Sequence, residues 1–407
     1  MKTQKDIEQV EIQKNLGDLP RFINAIFDEA ISSKVSDIHL ETLRDFMLLR
    51  YRIDGDFLIK SKIALDNYAA IITMVKVMAG LKIDENKKPQ DGKISYKSEK
   101  IGQEVDMRIS IMPTVYGEKI VIRILSQDAS ILNLDNMGFL ETNNEKIKNV
   151  LKSKYGLILV AGPTGSGKST TLFSLLKSFN PIEINISTLE DPIEYNIDYI
   201  NQTQVRPNIG FGFADGLRSL VRQDPDVIMV GEIRDTETAT LAVEASLTGH
   251  LVLSTIHTNS AAATIQRLIN MGVEPFLISS ALKMVISQRL VKGICPHCKT
   301  NTNPNANLVK RAKEILAPVL DESEINNLKF YEGTGCDKCN NTGYKGRIGV
   351  HEVLVLGDYL EDAILSRKSA SIIQHISEEN GMITIMQDAV LKAVMGKTTL
   401  EEVFKLV

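Results

Sequence analysis

The sequence predicts an α/β protein in which a larger domain with a parallel sheet follows a smaller α/β domain and carries a small four-cysteine module. Three observations predict it. A glycine-rich loop at Gly162–Ser169 lies between a strand-length apolar run and a helical pattern. Short apolar runs at Leu157–Ala161, Ile184–Leu189, Val227–Val230 and Leu251–Thr255 alternate with helical segments, as in a parallel sheet covered by helices. Two C-x-x-C pairs stand late in the chain. With 407 residues, there is enough chain for two or three domains with separate cores.

Composition excludes several classes. Hydrophobic residues make up 43% and charged residues 24%, as in an ordinary globular protein. The net charge of −4 gives no bulk attraction for nucleic acid, and none is expected as a partner. No apolar run reaches the ~20 residues that span a bilayer. The stretch Met1–Gln13 is polar and charged without a signal-peptide core, so a cytoplasmic location is expected. There, cysteines serve more often as metal ligands or free thiols than as disulfides.

Residues 1–18 are expected to be loosely ordered, 19–125 to form the N-terminal domain, 126–140 the linker and 141–407 the larger, parallel-sheet domain. Ile23, Ile26, Phe27 and Ala30 recur at helical spacing. Leu48–Ile53 and Phe57–Ile59 flank Asp54-Gly55, a pair suited to the positive φ of a type I′ hairpin. In Val105–Ile111, Val105, Met107, Ile109 and Ile111 point one way and Arg108 the other; in Lys119–Leu125, Ile120, Ile122 and Ile124 oppose Arg123. Residues 294–349, rich in Cys, Gly and Asn, interrupt the alternation as a cysteine module within that domain, and 358–407 reads as helical.

Gly162, Pro163, Thr164, Gly165, Ser166, Gly167, Lys168 and Ser169 fit G-x-x-x-x-G-K-[ST]. The glycines let successive backbone N–H groups converge on an anion. Lys168 places a charge on the β- and γ-phosphates, and the Ser169 hydroxyl can hold Mg²⁺. A helix follows, with Thr170 in its first turn and Leu172, Leu175, Leu176 and Phe179 on one face; its N-terminus favours phosphate. The ligand expected is ATP with Mg²⁺.

Hydrolysis also requires a group that activates water and groups that offset developing charge. Strand ends supply candidates: Glu190, Asp191 and Glu194 after one run, Glu232 after another, and His257 after a third, with His250 just before it. Ligands in open parallel sheets bind beyond the carboxyl ends of strands, and all these groups are expected at that edge. The metal-binding Asp usual after the second strand is replaced by Gly231. Spacing leaves Glu232, Asp226 and Asp191 open as metal or water ligands. Cys295, Cys298, Cys336 and Cys339 can together present four thiolates to one tetrahedral Zn²⁺, with His297 as a spacer.

Longer motifs carry a resemblance. Thr188–Tyr195, Leu217–Asp226 running on to Gly231–Asp235, Thr248–Asn259, Ser36–Glu41, Arg52–Gly55 and Met112–Lys119 resemble the secretion ATPase superfamily, the motors of type II secretion and type IV pilus systems. It covers nearly the whole chain from about Leu19. It implies a PAS-like N-terminal domain joined to a RecA-like ATPase domain, a homohexamer, and nucleotide held between the two domains. Glu190, Asp191 and Glu194 then lie in the family's acidic box, Glu232 matches its catalytic glutamate, and His250 and His257 match its histidine box. Arg108 and Arg123 match arginines offered to nucleotide by the N-terminal domain, and Arg218 and Arg222 a further pair in the ATPase domain. A four-cysteine insertion is typical of assembly and secretion motors rather than retraction motors. The implied role is assembly of a pilus or pseudopilus, with an inner-membrane platform protein as partner and peripheral attachment to that membrane. Retraction or DNA uptake is the alternative within the family, and a RecA-like nucleic-acid translocase the alternative outside it. Only about eighteen residues precede the matched region, so the additional N-terminal docking domain of many such motors is expected to be absent.

Overall fold

The computed structural model describes residues 11–98, 102, 104–125 and 132–406. Most of the expected loose N-terminus (1–10) and the first part of the expected linker (126–131) lie outside them. The chain divides into two compact units, Met1–Gln127 and Asp128–Val407.

In the first unit, seven strands among the described residues form one sheet: β1 (Ile12–Gln13), β2 (Asp37–Thr42), β3 (Met47–Ile53), β4 (Asp56–Ile63), β5 (Gln90–Lys97), β6 (Glu104–Thr114) and β7 (Gly117–Leu125). Their order is β1-β4-β3-β2-β7-β6-β5, antiparallel except for the β1–β4 pair. Asp54 and Gly55 take positive φ (49° and 93°), so the β3–β4 hairpin turns as its sequence requires. The helix Leu19–Ser32 starts at Asp18, whose carboxylate accepts from the Arg21 N–H. Its Ile23, Ile26 and Phe27 pack with Ile71 and Val75 of the helix Tyr68–Met78 on Met107, Ile109, Ile120 and Ile122 of the sheet. Alternation leaves Arg108 and Arg123 on the opposite face.

The second unit has a seven-stranded sheet among the described residues, built from β8 (Gly156–Ala161), β9 (Ile186–Glu190), β10 (Asn201–Gln204), β11 (Val227–Val230), β12 (Leu251–Ile256), β13 (Leu282–Ile294) and β16 (Tyr344–Val355). Its order is β10-β9-β11-β12-β8-β13-β16, parallel throughout except that β16 runs against β13. β8 shows why its sequence is uniformly apolar. Leu157, Leu159 and Ala161 enter the core on one face, Ile158 and Val160 the core on the other, and all five are buried.

The bounds of two expected segments shift. The 294–349 segment takes in the end of one sheet strand and the start of another. Ile294 ends β13 and Tyr344–Gly349 begins β16, so the module proper hangs between two sheet strands. It contains the antiparallel pair β14 (Lys299–Thr302) and β15 (Phe330–Gly333) and the helix Ala306–Leu316, whose Ala312 and Leu316 pack with Ala389 and Val390 of the C-terminal helix Ile385–Val394. The helix after the glycine-rich loop ends at Leu176, so Phe179 reaches the core from the following turn. Among the described residues no helix is long and apolar enough to cross a membrane.

Candidate active site

The loop 162–167 leaves the end of β8 and opens the helix Lys168–Leu176. Gly162, Gly165 and Gly167 hold φ of 151°, 79° and 88°, values that only glycine adopts without strain. The Lys168 ammonium donates to the carbonyls of Gly162 and Pro163 at 3.0 and 3.1 Å. Burial pulls the Lys168 pKa down; Glu232 opposes that shift and Arg289 adds to it. One carboxylate and two cations are therefore close enough to feel one another, around a half-buried Lys168.

Glu232, two residues past the end of β11, is the carboxylate of that group. It is paired with the Arg234 guanidinium and lies 3.5 Å from His257 Nε2, just past β12. The Thr255 hydroxyl donates to Gly231 O at 2.8 Å, and Gly231 N–H to Leu189 O at 2.7 Å, which ties the ends of β9, β11 and β12 together. Arg234 gains proton affinity first from its hydrogen bond to Glu232 and also feels Asp191. Lys168, Glu232, Arg234, Asp191 and His257 thus belong to one electrostatic neighbourhood at the carboxyl edge of the sheet.

Other expected residues sit elsewhere or work differently. Glu190 is buried, and its carboxylate accepts from Thr188 Oγ1 (2.6 Å), Gln202 Nε2 (2.9 Å) and the Glu194 N–H (3.3 Å). Burial pushes its pKa up, with those hydrogen bonds opposing. It organises the turn beyond β9. That turn leans on the loop helix: Tyr195 is hydrogen-bonded to Thr170 and meets the Phe173 ring edge-on at 5.0 Å. The Thr170 side chain is therefore engaged with the acidic turn. His250 precedes β12, at the amino edge of the sheet, where its Nδ1 is 2.9 Å from Ala245 O. The strand Leu251–Ile256 separates it from His257, ~20 Å away at strand rise. The two histidines are not brought together. Arg218, on the helix Phe213–Leu220, pairs with Asp215 of that helix and with Glu237 of the helix Thr236–Leu247, and Arg222 donates back to Arg218 O at 2.5 Å. In the N-terminal unit Arg108 and Arg123 are direct cross-strand partners, and Arg123 Nε donates to Asp37 at 2.9 Å.

Sequence reasoning passed over β13. Its Gln288 and Arg289 stand where the strand passes the loop, and Arg289 donates to Asn259 O at 3.0 Å in the segment after His257. A Ser-Gln-Arg interruption in an apolar strand was the available signal.

The four cysteines converge. Their sulfurs all lie within 4.8 Å of one another. Cys295–Cys336 and Cys298–Cys339 are 3.9 Å apart and Cys336–Cys339 3.7 Å. Tetrahedral ligation at a Zn–S length of ~2.3 Å places sulfurs ~3.8 Å apart, so the donor set fits such an ion. Burial pushes the Cys339 thiol up, but the N–H groups of Cys336 and Gly343 and the neighbouring thiols bring it down to about 6. Those N–H groups lie 3.2 and 3.3 Å from its sulfur. The cluster could hold a metal ion.

A family model described as type II/IV secretion system protein matches residues 12–405. The type IV pilus assembly ATPase PilB of Thermus thermophilus is 47% identical over 94% of this chain, which spans 42% of that protein. The type II secretion system ATPase E of Vibrio cholerae is 45% identical over 95% of this chain, which spans 75% of that protein. Among solved structures, the pilus retraction motor PilT with bound ADP aligns with a TM-score of 0.64 at 27% identity, covering 95% of this chain and 96% of PilT. The Legionella pneumophila ATPase DotB aligns at 0.70 with 20% identity over 98% of both chains, a likeness of fold.

Proposed function

We propose a function from one premise: the chain belongs to the type II/IV secretion system protein family, among the secretion and pilus-assembly ATPases. In our reading it is an ATP-hydrolysing motor that drives assembly of a type IV pilus or a type II secretion pseudopilus. The observation that carries the chemistry is the grouping of Lys168, Glu232 and His257 at the carboxyl edge of a P-loop sheet. The loop N–H groups and Lys168 bind the β- and γ-phosphates. Ser169, with Glu232 or Asp191, would hold Mg²⁺, which when bound neutralises phosphate charge. Glu232 orients the attacking water and takes its proton as the bond to the γ-phosphorus forms and ADP leaves. His257 and Arg234 hold the Glu232 carboxylate in place. Glu190 shapes the acidic turn, and Arg108, Arg123, Arg218 and Arg222 are assigned to nucleotide or subunit contacts by family resemblance alone. Domain assignment follows the same reading: a PAS-like first domain, a linker, and a RecA-like second domain with the cysteine module.

The ring is a homohexamer attached to the inner-membrane face through a platform protein, and the cysteine cluster holds structural zinc. Both assignments rest on the family and, for zinc, on the sulfur spacing. Purified chain should release phosphate from Mg-ATP, and Lys168→Ala should abolish release. Turnover unchanged by Lys168→Ala would overturn the assignment of the site. A deletion strain should lose pili or secretion; a hyperpiliated strain would instead favour retraction. Metal analysis should find about one zinc per chain, released by a chelator with loosening of the module; a metal-free chain of unchanged stability would sink the zinc assignment.

A further inference from the structure

We propose that Gln288 is a positioning residue for the phosphate-binding loop: its side-chain amide, reaching from the neighbouring strand, sets the orientation of the Ser166–Gly167 peptide and so aims one phosphate-binding N–H. The proposal rests on the ATPase reading above and deepens it.

The placement begins with register. β13 runs parallel to β8, with Ser287 opposite Ala161, the last residue of β8. Gln288 therefore stands beside the point where the loop departs. Its side chain is buried. Nε2 donates to Ser166 O at 2.8 Å, and Oε1 accepts from Thr171 Oγ1 at 2.6 Å. A carbonyl can only accept, so the Ser166 contact fixes which end of the amide faces the loop. The Thr171 hydroxyl, also buried, fixes the other end. A buried amide with both ends engaged has one orientation.

That orientation acts on the loop through peptide geometry. The peptide is planar and trans, so the carbonyl of Ser166 and the N–H of Gly167 point in opposite directions. Holding the carbonyl toward β13 turns the Gly167 N–H away from β13, the side on which we place the phosphate. A flipped peptide would present a carbonyl to the phosphate instead, replacing attraction by repulsion. The same strand also shapes the glycines. A Cβ on Gly167 would lie 2.7 Å from Gln288 Nε2, and one on Gly162 would lie 2.6 Å from Gln288 O. Two of the loop's glycines are thus required by close approach to Gln288 as well as by their positive φ.

The test measures binding of ADP, ATP and AMP to full-length wild type, Gln288→Leu and Thr171→Val, with turnover and thermal unfolding of each without nucleotide. Gln288→Leu keeps bulk but loses the donor. Thr171→Val keeps shape but releases the far end of the amide. We expect affinity for ADP and ATP to fall about tenfold in Gln288→Leu, the loss of one hydrogen bond to a charged group. Thr171→Val should give a smaller loss in the same direction. AMP, which lacks the β-phosphate, should bind each variant as it binds wild type. A scaffold role alone would lower the folded or active fraction and leave the dissociation constants of the remainder unchanged. Both variants binding ADP within twofold of wild type would overturn the proposal, and so would an equal loss for AMP. Should Gln288→Leu fail to fold, Thr171→Val decides by the same criteria. A wild-type chain that neither binds nor hydrolyses ATP would overturn the ATPase reading itself, an outcome separate from variants that match an active wild type.

Discussion

Lys392→Met should destabilise the larger unit severely, and the structure sets the size of the effect. Lys392 and Asp388 have side chains 5% and 0% exposed, with the ammonium 2.6 Å from the carboxylate. The same ammonium donates to Gly349 O at 2.8 Å and lies 3.3 Å from His351 Nδ1. Burial pushes Asp388 up and pulls Lys392 down, and each is held charged by the other. Methionine fills the space but leaves Asp388 with the His351 backbone N–H, at 2.8 Å, as its remaining partner of this group. Breaking a buried pair in this way costs about 3–5 kcal/mol. For a unit of this size that lowers Tm by on the order of 10 °C. The deficit should grow with pH. Asp388 in the variant has a folded pKa above its unfolded value of 3.8. Above that value the unfolded chain releases a proton that the folded chain retains, so stability falls as pH rises until the folded pKa is passed. Asp388→Leu with Lys392→Met should recover part of the loss, because no unpaired charge stays buried and only neutral groups, the His351 N–H and Nδ1 and the Gly349 carbonyl, lose a partner. Calorimetric unfolding of the single and double variants at pH 5 and 8 checks this. A single variant within about 1 kcal/mol of wild type at both pH values would refute the reasoning, because the ammonium would then not be holding a buried charge.

Glu232→Gln should lower kcat by a factor of about 10²–10⁴ with KM changed far less, since a general base acts in the transition state; steady-state phosphate release measures both. His351 is fully buried, and burial, with Lys392 adding to it, holds its pKa well below 6.5. The unfolded chain takes up a proton near pH 6.5 that the folded chain refuses, so stability should decline as pH drops below that value, by at most about 1.4 kcal/mol per pH unit for this group. His351→Gln should flatten that part of the stability–pH curve, read by urea unfolding between pH 5 and 7.

The legible parts of the fold were those with a single strong period or a single turn signal. β8 and β11 read clearly because strands buried on both faces are apolar throughout, and β12 does so through Leu251–Leu253 despite its buried Ser254 and Thr255. The β3–β4 hairpin read clearly because Asp54-Gly55 admits little else. β2 and β5 were missed. β2 buries polar residues, with Asp37, His39 and Thr42 inside alongside Ile38 and Leu40, so its alternation is masked. β13 and β16 were missed for a related reason. Their outer ends carry the cysteine module, whose glycines and asparagines dominate the composition there. Nothing local shows that a long apolar stretch passes behind a loop more than a hundred residues earlier in the chain.

The active site divides along the same line. Its phosphate-binding loop is contiguous, so one motif displays it. The histidine pair shows where contiguity misleads: His250 and His257 are seven positions apart, yet the strand between them carries them to opposite edges of the sheet. Gln288 shows the converse. It lies 122 positions from Ser166 and touches it. A glycine in a phosphate loop is ordinarily explained by the ligand it approaches. At Gly162 and Gly167 the protein supplies a second reason, because β13 already fills the space a side chain would need. Alanine at Gly167 would therefore strain the loop with or without nucleotide. The motif records a packing constraint between neighbouring strands as well as a binding constraint, and only the sheet order β12-β8-β13 reveals which residue imposes it.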